Sequence, residues 1–251
     1  MKIIKDVYYS NDQISAKTLD AYIPDGKTNA VFMYMHGGGL EKGDKSKRAE
    51  DIANFLEQEG IAFVSINYRM YPDAQYPDFI LDAAQAVAWV NKNMQELFAC
   101  DKLYVGGSSA GGYLSMMLCF DERYLANVGL DNSIIEGYFH DAGQPTAHFN
   151  VLKEFGEDSR RVIVDERAPM FHVGRAKDYS PMLFIVSDND MFGRFEQTML
   201  MVNVMKHFEH GDKVFLEVVN GTHCDYIYKT DESGEGKLAK MILSFIDKLD
   251  G

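Results

Sequence analysis

Three features of the sequence predict an α/β fold: a mostly parallel central sheet with helices on both faces and an antiparallel hairpin at one edge. Short apolar runs of strand length alternate with stretches of helical periodicity from residue 30 onward. Two short strand-like runs near the amino terminus flank one polar turn, and the last helical segment carries an unbroken apolar stripe. Strand, helix and strand in repetition imply parallel strands joined by right-handed crossovers.

Taken in order, residues 7–10 and 18–23 read as the two hairpin strands, split by Asn11-Asp12-Gln13. Apolar runs at 30–35, 61–67, 102–105, 134–138, 182–186 and 214–219 follow, each short enough to be a buried strand. Ile80, Ala83, Ala84 and Val87 stand at i, i+3, i+4 and i+7, one face of a helix. Residues 113–120 and 195–209 are helix-compatible, and Leu238, Met241, Ile242, Phe245, Ile246 and Leu249 form the closing stripe. The span 121–179 is the least regular and is expected to be a lid or substrate-binding insertion within a single domain covering 1–251.

The whole-chain properties bound the function. With 251 residues, 46% of them hydrophobic, the chain can bury one large core, and no internal repeat or linker divides it. A formal net charge of −13 repels phosphate backbones, so nucleic acid is not an expected partner. Charge appears at Lys2, before any apolar run of signal-peptide length, and no run is long enough to span a bilayer. A cytoplasmic chain is therefore expected, unless a leader has been removed. Cys100, Cys119 and Cys224 are odd in number and far apart, giving neither a disulfide framework nor a zinc-type pair. No metal or organic cofactor is implied, and a homo-oligomer is left open.

The strongest local signal is Gly106-Gly107-Ser108-Ser109-Ala110-Gly111-Gly112, between a strand-like run and a helix-compatible one. This is the setting of a Gly-x-Ser-x-Gly elbow, a turn so tight that the serine projects its oxygen above the sheet while glycines at −2 and +2 relieve the crowding. Ser109 is the candidate nucleophile, because Ser108 lacks that glycine pair. Taken alone, such a turn could equally bind a phosphate or serve only as a connection, although the spacing of the dinucleotide fingerprint fails here. A second signature, His36-Gly37-Gly38-Gly39, closes the run at 30–35 and is of the type whose bare amides hold an anionic oxygen. Gly37, Gly38 and Ala110 are the expected donors of this oxyanion hole, with His36 supporting the loop. A phosphate-binding reading of residues 38–46 fails by one residue, since Asp44 sits between Gly43 and Lys45.

A serine nucleophile needs a base, and the base needs a carboxylate to fix its tautomer. Of seven histidines, His223 follows the run at 214–219, at a strand end where catalytic groups collect in open α/β sheets. His207 and His210 lie in or beside a helical stretch and read as surface residues. The acid should follow the run at 182–186, where Asp188 and Asp190 compete. Asp190 is favoured for its longer reach beyond the strand end, and Asp188 reads as a turn residue.

With these residues in place, the chain resembles the α/β-hydrolase superfamily, and within it compact esterases related to hormone-sensitive lipase, bacterial feruloyl and acetyl esterases, and kynurenine formamidase. The resemblance rests on His36-Gly37-Gly38-Gly39, Asn67-Tyr68-Arg69, Tyr71-Pro72 with Pro77 and Asp82, and the Ser109 elbow, with Asp190 and His223 at the acid and base positions. It implies a serine hydrolase cleaving a small-molecule ester through Ser109, His223 and Asp190. An amide-cleaving enzyme with the same triad and a non-catalytic binding protein on the same fold are the alternatives. Leu40 replaces a frequent aromatic residue, Ser187 replaces a glycine three residues before the acid, and no large amino-terminal cap precedes the core. The insertion around 141–161 is expected to cover the site instead.

Overall fold

A computed structural model describes residues 1–250. Eight strands form one sheet: β1 (Lys2–Tyr8), β2 (Thr18–Ile23), β3 (Ala30–Met35), β4 (Ile61–Ile66), β5 (Leu103–Ser108), β6 (Gly137–Asp141), β7 (Met182–Asn189) and β8 (Val214–Thr222). Their spatial order is β1-β2-β4-β3-β5-β6-β7-β8. β2 runs antiparallel to both β1 and β4, and all pairs from β4 to β8 are parallel. The main helices are α1 (Ala49–Glu57), α2 (Asp78–Asn93), α3 (Ala110–Phe120), α4 (Arg123–Ala126), α5 (Phe149–Glu154), α6 (Arg194–His207) and α7 (Lys237–Asp250). The predicted class is the observed one.

Both faces of the sheet are buried, and β3 shows how the sequence divides between them. Val31, Met33 and Met35 join one core with Ile80 and Val87 of α2, Leu114 of α3 and Met201 of α6. Phe32 and Tyr34, pointing the other way, join a second core with Ile52 and Leu56 of α1 and with Leu238, Ile242, Phe245 and Ile246 of α7. Strand alternation places successive side chains on opposite faces, so an unbroken apolar run is what a doubly covered strand requires. The stripe read in the closing segment is the face α7 buries.

β7 and β8 run on to Asn189 and Thr222, past the expected 186 and 219, and three further boundaries differ from expectation. β1 begins at Lys2 rather than at residue 7; it is an exposed edge with no apolar alternation to reveal it. β5 continues past residue 105 through two glycines and Ser108, straight into the elbow. The run expected at 134–138 starts later: residues 132–134 form a 3-10 turn, and β6 pairs Gly137 to Asp141 with Tyr104 to Ser108. His140 and Asp141, polar yet buried, hid the strand's end from a hydrophobic pattern. β6 thus divides the span 121–179 into a connection at 121–136 and a longer excursion from the sheet at 142–179. No helix among the described residues is long and apolar enough to cross a membrane.

The loop after β4 is held by charge. Arg69 donates from Nε and Nη2 to the two carboxylate oxygens of Asp82, both at 2.8 Å, and its backbone N–H adds a third bond at 3.0 Å. Asp82 is fully buried, with Lys17 Nζ 3.3 Å away as its second cation. Removing one partner of a buried pair leaves an uncompensated charge. Arg69→Met is expected to destabilise the protein by about 3 kcal/mol, read as a lowered denaturation midpoint in urea.

Candidate active site

The elbow is built from close backbone packing. Ser109 caps α3 at φ 54°, ψ −110°, a conformation most residues avoid. It is held there by its N–H, which donates to the Asp141 carbonyl at 2.7 Å, and by its own carbonyl, which accepts from Tyr113 N–H at 3.0 Å. Glycine at 111 is a steric requirement: a Cβ there would lie 2.0 Å from the Met35 carbonyl oxygen. α3 starts at Ala110, so its first N–H groups point at the space above Ser109.

His223, in the turn after β8, meets the serine. Ser109 Oγ–H donates to His223 Nε2 at 2.8 Å, and His223 Nδ1–H donates to Asp190 Oδ1 at 2.5 Å. This tautomer follows from the hydrogen-bond network, since a carboxylate can only accept. Asp190 also accepts from the N–H groups of Met191 at 2.7 Å and Ser187 at 3.2 Å. Burial alone would raise its pKa, but the bond to His223, that ring's charge and the two amides outweigh burial and hold it below the usual range. Asp188 lies outside this chain: it accepts from Gly221 N–H at 3.0 Å and Asn220 Nδ2 at 2.8 Å, tying the end of β7 to β8. Ser187, in the place of a glycine, is buried and donates to the Thr222 carbonyl at 2.9 Å.

The loop after β3 lies against the elbow. A Cβ on Gly37 would come within 3.2 Å of the Ser109 Cβ, and one on Gly38, at φ 129°, would fall 1.7 Å from the Lys42 carbonyl oxygen. Among the described residues, the amides of Gly37, Gly38 and Ala110 have no protein acceptor. His36 is buried beneath this loop, stacked on Tyr68 with ring centroids 4.6 Å apart, and burial pushes its pKa down. Tyr68 O–H donates to the His36 carbonyl at 2.7 Å, and Tyr71 N–H to the Leu40 carbonyl at 2.8 Å. Tyr68 and Tyr71 therefore hold the glycine loop from below and behind. His207 and His210 lie at the far end of α6, away from Ser109.

A cleft of about 650 Å³ opens over Ser109 and His223, walled by the glycine loop, Phe149, Asn150, Met191, Ile227 and Tyr228. Segment 142–179 supplies Phe149 and Asn150, and Asn150 Nδ2 donates to the Gly39 carbonyl at 2.6 Å. That segment is braced by Arg194, 4% exposed, which donates from Nη1 to the Ala142 carbonyl and from Nη2 to Gln144 Oε1 at 3.3 Å. Directly under the elbow lies Asp141, fully buried, which accepts from Ser108 Oγ–H and Tyr226 O–H. Sequence reasoning missed Asp141, Asn150 and Arg194. Asp141 follows Tyr138-Phe139-His140 with no spacing signal, Asn150 lies in the span read as irregular, and Arg194 stands one residue before the stretch read as helix-compatible.

Comparison with known proteins places this arrangement in a family. The BD-FAE family model matches residues 19–156, more than half of the chain, from β2 through the glycine loop and the elbow to α5. Among curated proteins, Lipase 2 of a Moraxella species is 34% identical over 90 residues, 36% of this chain and 21% of its own length. Esterase LipC of Mycobacterium tuberculosis is 31% identical over 115 residues, 43% of this chain and 28% of its own length. The chain thus spans well under a third of these relatives. Among solved structures, esterase B of Lactobacillus rhamnosis superposes with a TM-score of 0.78 at 18% identity, covering 99% of this chain and 85% of that one. A truncated carbohydrate esterase from gut microbiota has a TM-score of 0.78 at 20% identity, with 99% and 96% covered. The sheet order, the elbow and the glycine loop together are those of an α/β-hydrolase fold, and the chain belongs to the BD-FAE family within it.

Proposed function

We propose that this protein hydrolyses a small carboxylic ester by a two-step acyl transfer. The observation that carries the reading is the hydrogen-bonded series Ser109–His223–Asp190, set beside three backbone amides that have no protein acceptor. Ser109 Oγ attacks the ester carbonyl carbon while His223 Nε2 takes its proton, and Asp190 stabilises the imidazolium that forms. The negative charge on the carbonyl oxygen is held by the N–H groups of Gly37, Gly38 and Ala110. Collapse expels the alcohol, protonated by His223; water then attacks the acyl-serine by the same route, releasing the acid. In this reading the chain is one α/β-hydrolase domain, with 142–179 walling the site. A second cavity of about 620 Å³ shares Glu41 and Asn150 with the cleft and offers room for the part of the substrate beyond the ester.

A fluorophosphonate probe should label the wild-type protein on one serine. In parallel assays, short p-nitrophenyl esters should be turned over with higher kcat/KM than N-formyl and peptide amides. Failure of the wild type to label overturns the hydrolase reading; preference for the amides moves the proposal to an amidase. The oxyanion assignment has its own consequence. Gly38→Ala cannot keep the present loop, because its Cβ would overlap the Lys42 carbonyl. Loss of one donor is expected to lower kcat by about 100-fold, with KM changed far less.

A further inference from the structure

Beneath the elbow, four polar groups from four elements converge where the hydrophobic core would otherwise close. Tyr34 O–H, at the end of β3, donates to Ser108 Oγ at 2.7 Å; Ser108 O–H, at the end of β5, donates to Asp141 Oδ2. Tyr226 O–H, three residues after His223, donates to Asp141 Oδ1. Ser108 and Asp141 are register partners of the β5–β6 pair, and the Asp141 carbonyl holds the N–H of Ser109 itself. The carboxyl is fully buried and forms no salt bridge among the described residues. Burial of a carboxylate that no cation neutralises is expensive, even with two hydroxyl donors.

We infer that Asp141 is a positioning residue for the acyl-transfer reaction: it fastens the nucleophile's strand to the histidine's turn, and its charge supports the imidazolium formed on His223. The inference rests on the hydrolase reading above. Its geometry is direct, because one carboxylate bridges the residue before Ser109 and the residue three after His223. The charge follows from what faces it. Ser108 and Tyr34 present only hydroxyls, Tyr226 a hydroxyl and Cys224 a thiol; His223, when protonated, favours ionised Asp141, and Asp190 disfavours it. Arg194, the nearby buried cation, donates to the Ala142 carbonyl and to Gln144 rather than to Asp141.

Burial pushes Asp141 up to about 6, against the two hydroxyl donors and His223 that favour its charged form. Between the ordinary carboxylate range and that value the folded protein keeps a proton that the unfolded chain has lost. The contribution to stability is therefore present below the ordinary range and is lost as pH rises through about 6. Ionised Asp141 thus weakens the fold at the pH where it would support His223, a trade expected of a functional group rather than a structural one.

The pH dependence of kcat/KM on a short p-nitrophenyl ester tests this. For the wild type, activity should fall on the acid side more steeply than one proton allows, with Asp141 as the second group. Tyr226→Phe removes one donor that favours the carboxylate, so the acid limb should move up by about one pH unit. Asp141→Asn should lower kcat at pH 8 by about tenfold, the effect of one pKa unit of differential interaction. It should also leave a single-proton acid limb and gain thermal stability relative to wild type between pH 4 and pH 8. An acid limb unmoved in Tyr226→Phe, or kcat in Asp141→Asn within twofold of wild type, overturns the role. A wild type that does not react with fluorophosphonate overturns the hydrolase reading and this role with it; a reactive wild type with an unmoved limb removes the Asp141 role alone.

Discussion

Ser109→Ala is expected to lower kcat by about 10⁴-fold or more and to abolish fluorophosphonate labelling, while leaving the fold and ester binding close to wild type. The size of the loss follows from the chemistry, because without Oγ no acyl-enzyme forms and the only catalysis left is what the oxyanion amides and substrate binding provide. The fold should survive because the strained φ of 54° is imposed by the β5–β6 ladder and by α3, not by the hydroxyl, whose one strong bond is to His223. Ser108→Ala is the control. Ser108 is 1% exposed and its Oγ is engaged by Tyr34 and Asp141, and no histidine is bonded to it to act as its base. A Ser108→Ala protein should still label. Persistent labelling of Ser109→Ala would show that another residue is the nucleophile.

The second large effect separates the two neighbouring aspartates. Asp190→Asn should reduce kcat by about 10³- to 10⁴-fold, because an amide facing His223 Nδ1 favours the wrong tautomer and cannot stabilise the imidazolium. Asp188→Asn keeps an oxygen to accept the Gly221 N–H and should cost less than about tenfold. The pKa direction gives the pH window. Asp190 is held below the ordinary carboxylate range, so its charge persists at neutral and mildly acidic pH and is lost only as pH falls through that depressed value. Loss of activity near pH 6 is therefore not its titration. Equal effects of the two substitutions, measured as kcat on the same ester, would return the acid to an open question.

The particular elements show why some of this was legible in one dimension. The elbow needs glycines at 107 and 111, and the glycine loop needs one at 38, because backbone approaches too closely for a Cβ; Gly39 stands at φ 68°, which favours glycine. Such steric demands write themselves into adjacent residues. The parallel strands were readable for a similar reason: strands covered on both faces must be apolar throughout, as Ala30–Met35 and Ile61–Ile66 are. β1, exposed along most of its length, and β6, which ends in a buried histidine and aspartate, left no such trace, and both were placed imperfectly.

What the sequence by itself determined was therefore local and steric: the fold class, the strained serine, the glycine loop and a short choice of acids and bases in chain order. The tertiary structure alone decided which groups meet. It brought His223 to Ser109 across 114 positions and Asp190 rather than Asp188 to His223, and it turned Asn150 onto the glycine loop. It also buried Asp141 under the elbow with Tyr226 and Ser108. The physical reason is that hydrogen bonds between side chains on different strands depend on sheet order, register and the course of loops. Those are set by the packing of the whole core and leave no periodicity in the residues that make the bonds.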